Sequence, residues 1–350
     1  MTPSFRLARL LRSERGATAA LMAVMLTALI GLLGASVDMG VLYTARAQIQ
    51  NAADAAALAA ANTMLGADAD NNAVVQTDVA LDSARQYSSS NQAIGVSLNL
   101  KEPPGDDFTV GFWDQATGDF DPGRTGMSLS NPDDVTAVRV RVRRDGVANS
   151  PVATFFAGIV GLSAVDLRAT STAFLGWPGQ VPAGTVDLPI AVLASAITSG
   201  DNPDCGKSLT FHSNGDQNAE WTTFFTWPSN NPNVDAYVTG ELPVPALQVG
   251  DEINLTNGNL SNGTFNDLKQ RFEANQTNGQ WEVTLPVISA PGCGAIQGTI
   301  SGFTTFVITE VRDAPYKDMT GFLKCGVVVP TSATGGGNYG SRATYSRLVR

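Results

Sequence analysis

The sequence is poor in charge, in histidine and in cysteine, and each shortage removes a class of function. Charged residues are 15% of 350, against about a quarter in an average soluble domain, and acids outnumber bases by 32 to 22. Phosphate binding depends on clustered Lys and Arg that displace counterions, so this acidic balance excludes nucleic acid as a partner. The one histidine, His212, stands in Leu209-Thr210-Phe211-His212-Ser213 with no Gly-x-Ser-x-Gly elbow anywhere in the chain. It reads as a polar residue at a strand end, not as a member of a catalytic triad. Cys205, Cys293 and Cys325 include no Cys-x-x-Cys, which leaves thiol redox chemistry and zinc without a motif. Gly335-Gly336-Gly337 lacks the lysine of a phosphate loop. Asp119-Phe120-Asp121-Pro122-Gly123 opens like a calcium loop but has no Glu at its twelfth position, and Asp201-Asn202-Pro203-Asp204 is a second acidic cluster. Asp and Asn favour turns for conformational reasons, and both stretches read as turns. The expectation is a non-enzyme with no cofactor and no metal.

A long apolar run is present. Ala17 to Val37 is 21 residues without a charge, and at ~1.5 Å per residue a helix of that length crosses a hydrocarbon core of ~30 Å. Residues 1–37 hold four arginines (Arg6, Arg9, Arg12, Arg15) and one acid, Glu14, which leaves 18 basic and 31 acidic residues in the remainder. The positive-inside rule then keeps residues 1–16 in the cytoplasm and exports everything after Asp38. A cleavable signal is the alternative, with Gly34-Ala35-Ser36 as small residues at a processing site. The apolar run is longer than a signal core of ~7–15 residues, and the helical pattern continues past that site, so a retained anchor is the reading adopted.

Val41 to Leu65 is dense in alanine and free of Gly and Pro, which predicts that the helix continues well beyond the membrane. Small side chains permit close approach of another helix. Asp38, Gln50 and Asp54 are the polar positions there that partner helices could contact, Gln50 and Asp54 sharing a face four residues apart. Solvated side chains on a wet helix face are the plainer alternative.

The string Arg15-Gly16-Ala17, the apolar run, Val37-Asp38-Met39-Gly40-Val41-Leu42-Tyr43, Arg46 and Gln48-Ile49-Gln50-Asn51-Ala52-Ala53-Asp54-Ala55-Ala56-Ala57-Leu58 resembles the N-terminal module of TadG-like proteins of Flp (tight adherence) pilus-assembly systems. The likeness covers about residues 13–62. A looser one, carried by the Val135 strand, Phe155-Phe156, Gly161-Leu162 and Ala169-Thr170-Ser171-Thr172-Ala173, covers about 105–175. The resemblance implies a non-catalytic envelope component in the bacterial inner membrane, with pilus-assembly proteins or pilin helices as partners. Its alternative is a minor pilin or surface adhesin that enters the fibre. Two departures stand out: relatives cut by prepilin peptidase carry a Glu a few residues after the processing glycine, whereas none follows Gly16 here, and no Asp-x-Ser-x-Ser of a von Willebrand A domain occurs.

The predicted class is α+β, with a long N-terminal helix followed by β-rich exported domains. The segments expected are 1–16 (cytoplasmic), 17–37 (transmembrane), 38–66 (helix extension), 67–177 (first α+β domain), 188–330 (second, β-rich domain) and 331–350 (flexible tail). Val138, Val140 and Val142 alternate with Arg139, Arg141 and Arg143, the pattern of a half-buried strand. Phe155 to Leu162 is too short to span a bilayer and is expected as a buried helical turn. An exported location permits a disulfide among Cys205, Cys293 and Cys325. A bond from Cys205 to one of the later two would tie the start of the second domain to its end.

Overall fold

The computed structural model describes residues 14–68, 73–101, 105–115, 117–123, 134–200, 202–215, 218–256, 258–289 and 296–349. Cys293, Asp201, most of the basic segment and most of the polar stretch after the long helix lie outside these residues.

One helix, α1, runs from Glu14 to Met64, 51 residues or ~77 Å at helical rise. Gly40 falls inside it without a break. The hydroxyls of Thr27, Ser36 and Thr44 donate to the carbonyls of Ala23, Leu32 and Gly40, each at 2.8 Å. The few polar side chains of the apolar stretch therefore spend their donors on their own helix, the arrangement a hydrocarbon surround requires. Leu21, Leu26, Leu29, Ile30 and Leu33 are all exposed, as lipid-facing side chains would be. Beyond Val37 the character changes. Ala45, Ile49, Ala52, Ala53, Ala56, Ala57, Ala60, Ala61 and Met64 are fully buried at the three- and four-residue spacing of one helix face. The alanine face expected to await a partner helix is covered by the chain's own body.

After Met64, Leu65–Ala67 and Ala73–Val75 pair antiparallel. Helix α2 follows at Thr77–Ser89, and its end leads to a two-residue hairpin, Gln92–Ala93 with Val96–Ser97. The hairpin turn holds Ile94 and Gly95 at φ of 47° and 73°, a left-handed pair that Gly accepts freely and a β-branched residue does not.

Four strands come next: β1 (Phe108–Asp114), β2 (Asp119–Asp121), β3 (Ala137–Arg144) and β4 (Leu167–Phe174). In β3 Val138, Val140 and Val142 are buried and Arg139, Arg141 and Arg143 are partly exposed, so the alternation expected from the sequence is present. The larger β system comprises β5 (Ile190–Leu193), β6 (Ser208–His212), β7 (Ala219–Phe224), β8 (Glu252–Leu255), β9 (Trp281–Ser289), β10 (Gln297–Arg312) and β11 (Asp318–Lys324). Helices α3 (Asn231–Thr239) and α4 (Asn262–Asn275) lie within it. Strand β12 (Arg347–Val349) closes the described chain.

The pairings β10–β8–β7–β5–β9–β10 return to their starting strand, and β11 and β6 extend from the far half of β10. Strand β10 is 16 residues long: it pairs with β9 over residues 299–308, with β8 over 297–299 and with β11 over 305–312. The interior holds Phe211 against Phe306 at 4.9 Å and Trp221 edge-on to Phe265 at 5.7 Å. Helix α4 begins where Ser261 accepts from the Thr264 amide at 3.1 Å, an N-cap. Helix α3, which the sequence pattern did not suggest, begins with Asn230 as cap and Pro232 in its first turn.

Residues 331–349 are not a loose tail. Ala333–Thr334 pairs with the strand Pro178–Val181, Ser341–Arg342 with Val327–Val328, and β12 with β4 at Thr172–Phe174. Ser332, Ser341, Arg342 and Ala343 are buried. The glycines that suggested mobility instead allow close approach: a side chain at Gly336 would overlap the Pro178 carbonyl oxygen. Contacts divide the chain into two units, each discontinuous in sequence. One is built from α1 up to residue 56 with 85–108 and 140–171; the other holds 57–84, 109–139 and 172 onward.

Candidate functional site

In the first unit two polar residues of α1, Asp38 and Gln48, meet segments more than forty positions away. Asp38 is the first acid after the apolar run, and only 4% of it is exposed. Its Oδ1 accepts from the Phe155 amide at 2.7 Å, and its Oδ2 accepts from Phe156 at 3.0 Å and Ala157 at 2.7 Å. One carboxylate thus satisfies three consecutive backbone donors at the start of a one-turn 3-10 helix, Ala157–Val160, a charge-assisted cap. Burial alone would raise the Asp38 pKa, but the three amide donors outweigh it and hold the carboxyl below the usual range. Asp38 is therefore neither a hydrated surface acid nor a free contact for another helix. It pins a loop that lies 117 to 119 residues downstream.

Nearly three turns further along α1, Gln48 Oε1 accepts from the Ile94 amide at 2.9 Å, which fixes the left-handed hairpin turn against the helix. Gln50 Nε2 donates to Asp54 Oδ1 at 2.7 Å, so this pair satisfies itself within α1. Arg144, almost fully buried, donates to the carbonyls of Ala93, Ser150 and Pro151 at 2.7, 2.7 and 3.0 Å. Burial pushes its pKa down, and neutral carbonyls are its main acceptors. Arg143 pairs closely with Asp107 and reaches Asp145 at 3.4 Å. These arginines hold the hairpin, the 145–151 loop and β3 together, and so set where the Phe155 segment leaves the body.

That segment is where the sequence reading is corrected. Phe155 to Leu162 forms a helical turn as expected, but it is not buried: Phe155, Ile159, Val160 and Leu162 are 75%, 83%, 84% and 54% exposed. The Phe156 ring instead faces Gly34 of α1, where a Cβ would come within 2.6 Å of its Cγ. Glycine at 34 is thus the residue that lets the turn lie flush on the helix. Four large apolar side chains left in water would forgo roughly 1.5–3 kcal/mol each. The available signal was the uncharged stretch from Gly146 to Val165, whose apolar residues follow neither a strand nor a helix period.

The second unit holds the remaining candidates. Cys205 and Cys325 form a disulfide with Cα atoms 5.5 Å apart; Cys293 lies outside the described residues. His212 ends β6 in register with Asp318 of β11, and Arg312 Nε donates to that Asp318 at 2.7 Å. Asp121 Oδ1 accepts from the Gly123 amide at 2.9 Å, an Asx turn. Asp204 is held below the usual carboxylate range by bonds from the Ser199 hydroxyl and from Lys207. Among the described residues no group of three or more His, Cys, Asp or Glu is placed to hold a metal ion.

The fold and its best-formed site define an α+β protein in which, among the described residues, one helix near the N-terminus is long and apolar enough to cross a membrane, and in which Asp38, the first acid after its apolar run, holds the amides of Phe155, Phe156 and Ala157. Residues 16–63 match the family described as Flp pilus-assembly TadE/G-like, and residues 40–173 match a second, Tad-like Flp pilus-assembly. Across 16–173 the chain matches a TadG-like Flp pilus-assembly protein. No curated protein and no solved structure matches it.

Proposed function

We propose that this chain is a non-catalytic envelope component of a Tad/Flp-type pilus-assembly or secretion system, held in the bacterial inner membrane by Ala17–Val37. Its N-terminus stays in the cytoplasm and its body works in the periplasm or outside the cell. The observation that carries this reading is the exposed apolar helix inside the region matched by the Flp family, with arginines before it and an acidic body after it. Partners in that role are other pilus-assembly proteins or pilin helices. With the alanine face already covered, they meet α1 within the membrane or on its outer side at Tyr43, Arg46 and Ala47, which are exposed.

The test is the intact mass of the N-terminus in protein recovered from inner-membrane and sheared-fibre fractions. An unprocessed chain in the inner membrane supports the anchored component. A chain shortened near Gly16 and recovered in the fibre assigns it as a minor pilin or adhesin. A reporter fused after Leu65 that works only in the cytosol overturns both.

A further inference from the structure

We propose that residues 155–162 are a second membrane-inserted element, an apolar turn seated in the outer half of the bilayer beside α1, with lipid covering its exposed side chains. The inference rests on α1 crossing the membrane and adds that the body itself enters the lipid. Three observations carry it.

The first is depth. The groove between turn and helix is lined by Thr27, Ile30 and Gly31 from α1 and by Ile159, Val160 and Leu162 from the turn. Thr27 is the midpoint of Ala17–Val37, so the groove reaches ~15 Å below Val37 along the helix, about half a hydrocarbon core. A turn lying along that length cannot be in water when the helix beside it is in lipid.

The second is backbone satisfaction. A lipid-exposed loop is tolerated only when its polar backbone is bonded within the protein. Asp38 takes the amides of Phe155, Phe156 and Ala157. The amides of Ile159, Gly161 and Leu162 go to the carbonyls of Phe156, Gly158 and Ala157. The Thr154 amide donates to the Ser163 carbonyl, and the Thr154 hydroxyl donates to the Leu162 carbonyl. The third is composition: no charge occurs between Asp145 and Asp166, and Ile30, which lines the groove from the helix side, is exposed like Ile159 and Val160 of the turn. Asp38 is the positioning residue, placed where the helix leaves the hydrocarbon.

The test uses the full chain carrying Cys293→Ser, reconstituted in phosphatidylethanolamine–phosphatidylglycerol vesicles, with one nitroxide label at a time on Leu29→Cys, Ile159→Cys, Val160→Cys or Val147→Cys. Electron paramagnetic resonance then compares collisions with oxygen and with a water-soluble nickel chelate. The expected result is oxygen-dominated collision at 29, 159 and 160, and nickel-dominated collision at 147, which is exposed on the 145–149 loop of the same unit. Nickel access at 159 and 160 with lipid access at 29 overturns this inference and leaves the anchor standing. Nickel access at all four positions overturns the anchor. Spin–spin broadening at 159 with neither collider reaching it shows a second copy of the chain on the turn, and overturns the lipid assignment.

Discussion

Reducing the Cys205–Cys325 bond tests how the second unit is held. The bridge closes a loop of sequence separation 120, which contains all of β6, β7, α3, β8, α4, β9, β10 and β11. In the chain-entropy description such a crosslink removes about 16 cal/mol/K from the unfolded ensemble, or about 4.9 kcal/mol at 25 °C; measured losses for native bridges run at roughly 2–5 kcal/mol. Two neighbouring backbone bonds work against a larger loss. The Gly206 amide donates to the Leu323 carbonyl at 2.8 Å and the Leu323 amide to the Lys207 carbonyl at 3.0 Å, so the ends stay registered once the sulfurs part. For a unit of this size each kcal/mol moves the midpoint by about 2–4 °C, giving a fall of roughly 4–20 °C. The assay is thermal unfolding of the detergent-solubilised chain followed by near-UV circular dichroism, with and without reductant, alongside thiol counting and peptide mapping. A midpoint that does not move while thiol counting shows the bond reduced would refute the reasoning. So would a map that pairs Cys293.

Other outcomes follow from single positions. Leu29→Arg puts a charge near the middle of the anchor at a cost of ~2.5–3.5 kcal/mol on insertion scales, and should shift the protein out of the membrane fraction; unchanged fractionation rejects the anchor. Gly321→Ala should destabilise by roughly 1–3 kcal/mol, because a Cβ there overlaps the Val307 carbonyl oxygen across the β10–β11 ladder, whereas Gly258→Ala, with open space around it, should change little. Equal urea midpoints for the two would contradict that packing. Asp187 accepts from the Thr284 amide at 2.7 Å, yet burial lifts its pKa more than that bond and Arg271 lower it. A raised folded-state pKa gives a contribution fully present below the unfolded value and lost as pH rises through the folded one. The parent should therefore lose more stability than Asp187→Asn between pH 4 and pH 7, and parallel pH profiles would exclude this.

Much of the site's frame was legible locally, and what was missed has a common cause. The sequence by itself determined the apolar stretch, the long helix and the alternating strands, since an apolar run's length, alanine's helix propensity and period-two patterning act between residues a few positions apart. Only the tertiary structure decided what Asp38 binds, because its three donors are 117 to 119 residues away and nothing near Asp38 marks it as a cap. It alone chose Cys325 as the partner of Cys205, closed the five-strand ring through β5 and β9, and covered the alanine face from within. It also converted the glycine-rich end from an expected tail into three paired strands, since a glycine that loosens an isolated chain permits close backbone contact once another strand lies against it. The turn at Phe155–Leu162 belongs to both sides of that division. Its apolarity is written in the residues, and its place beside the helix comes from a glycine at 34 and a carboxylate at 38 that only folding brings to it.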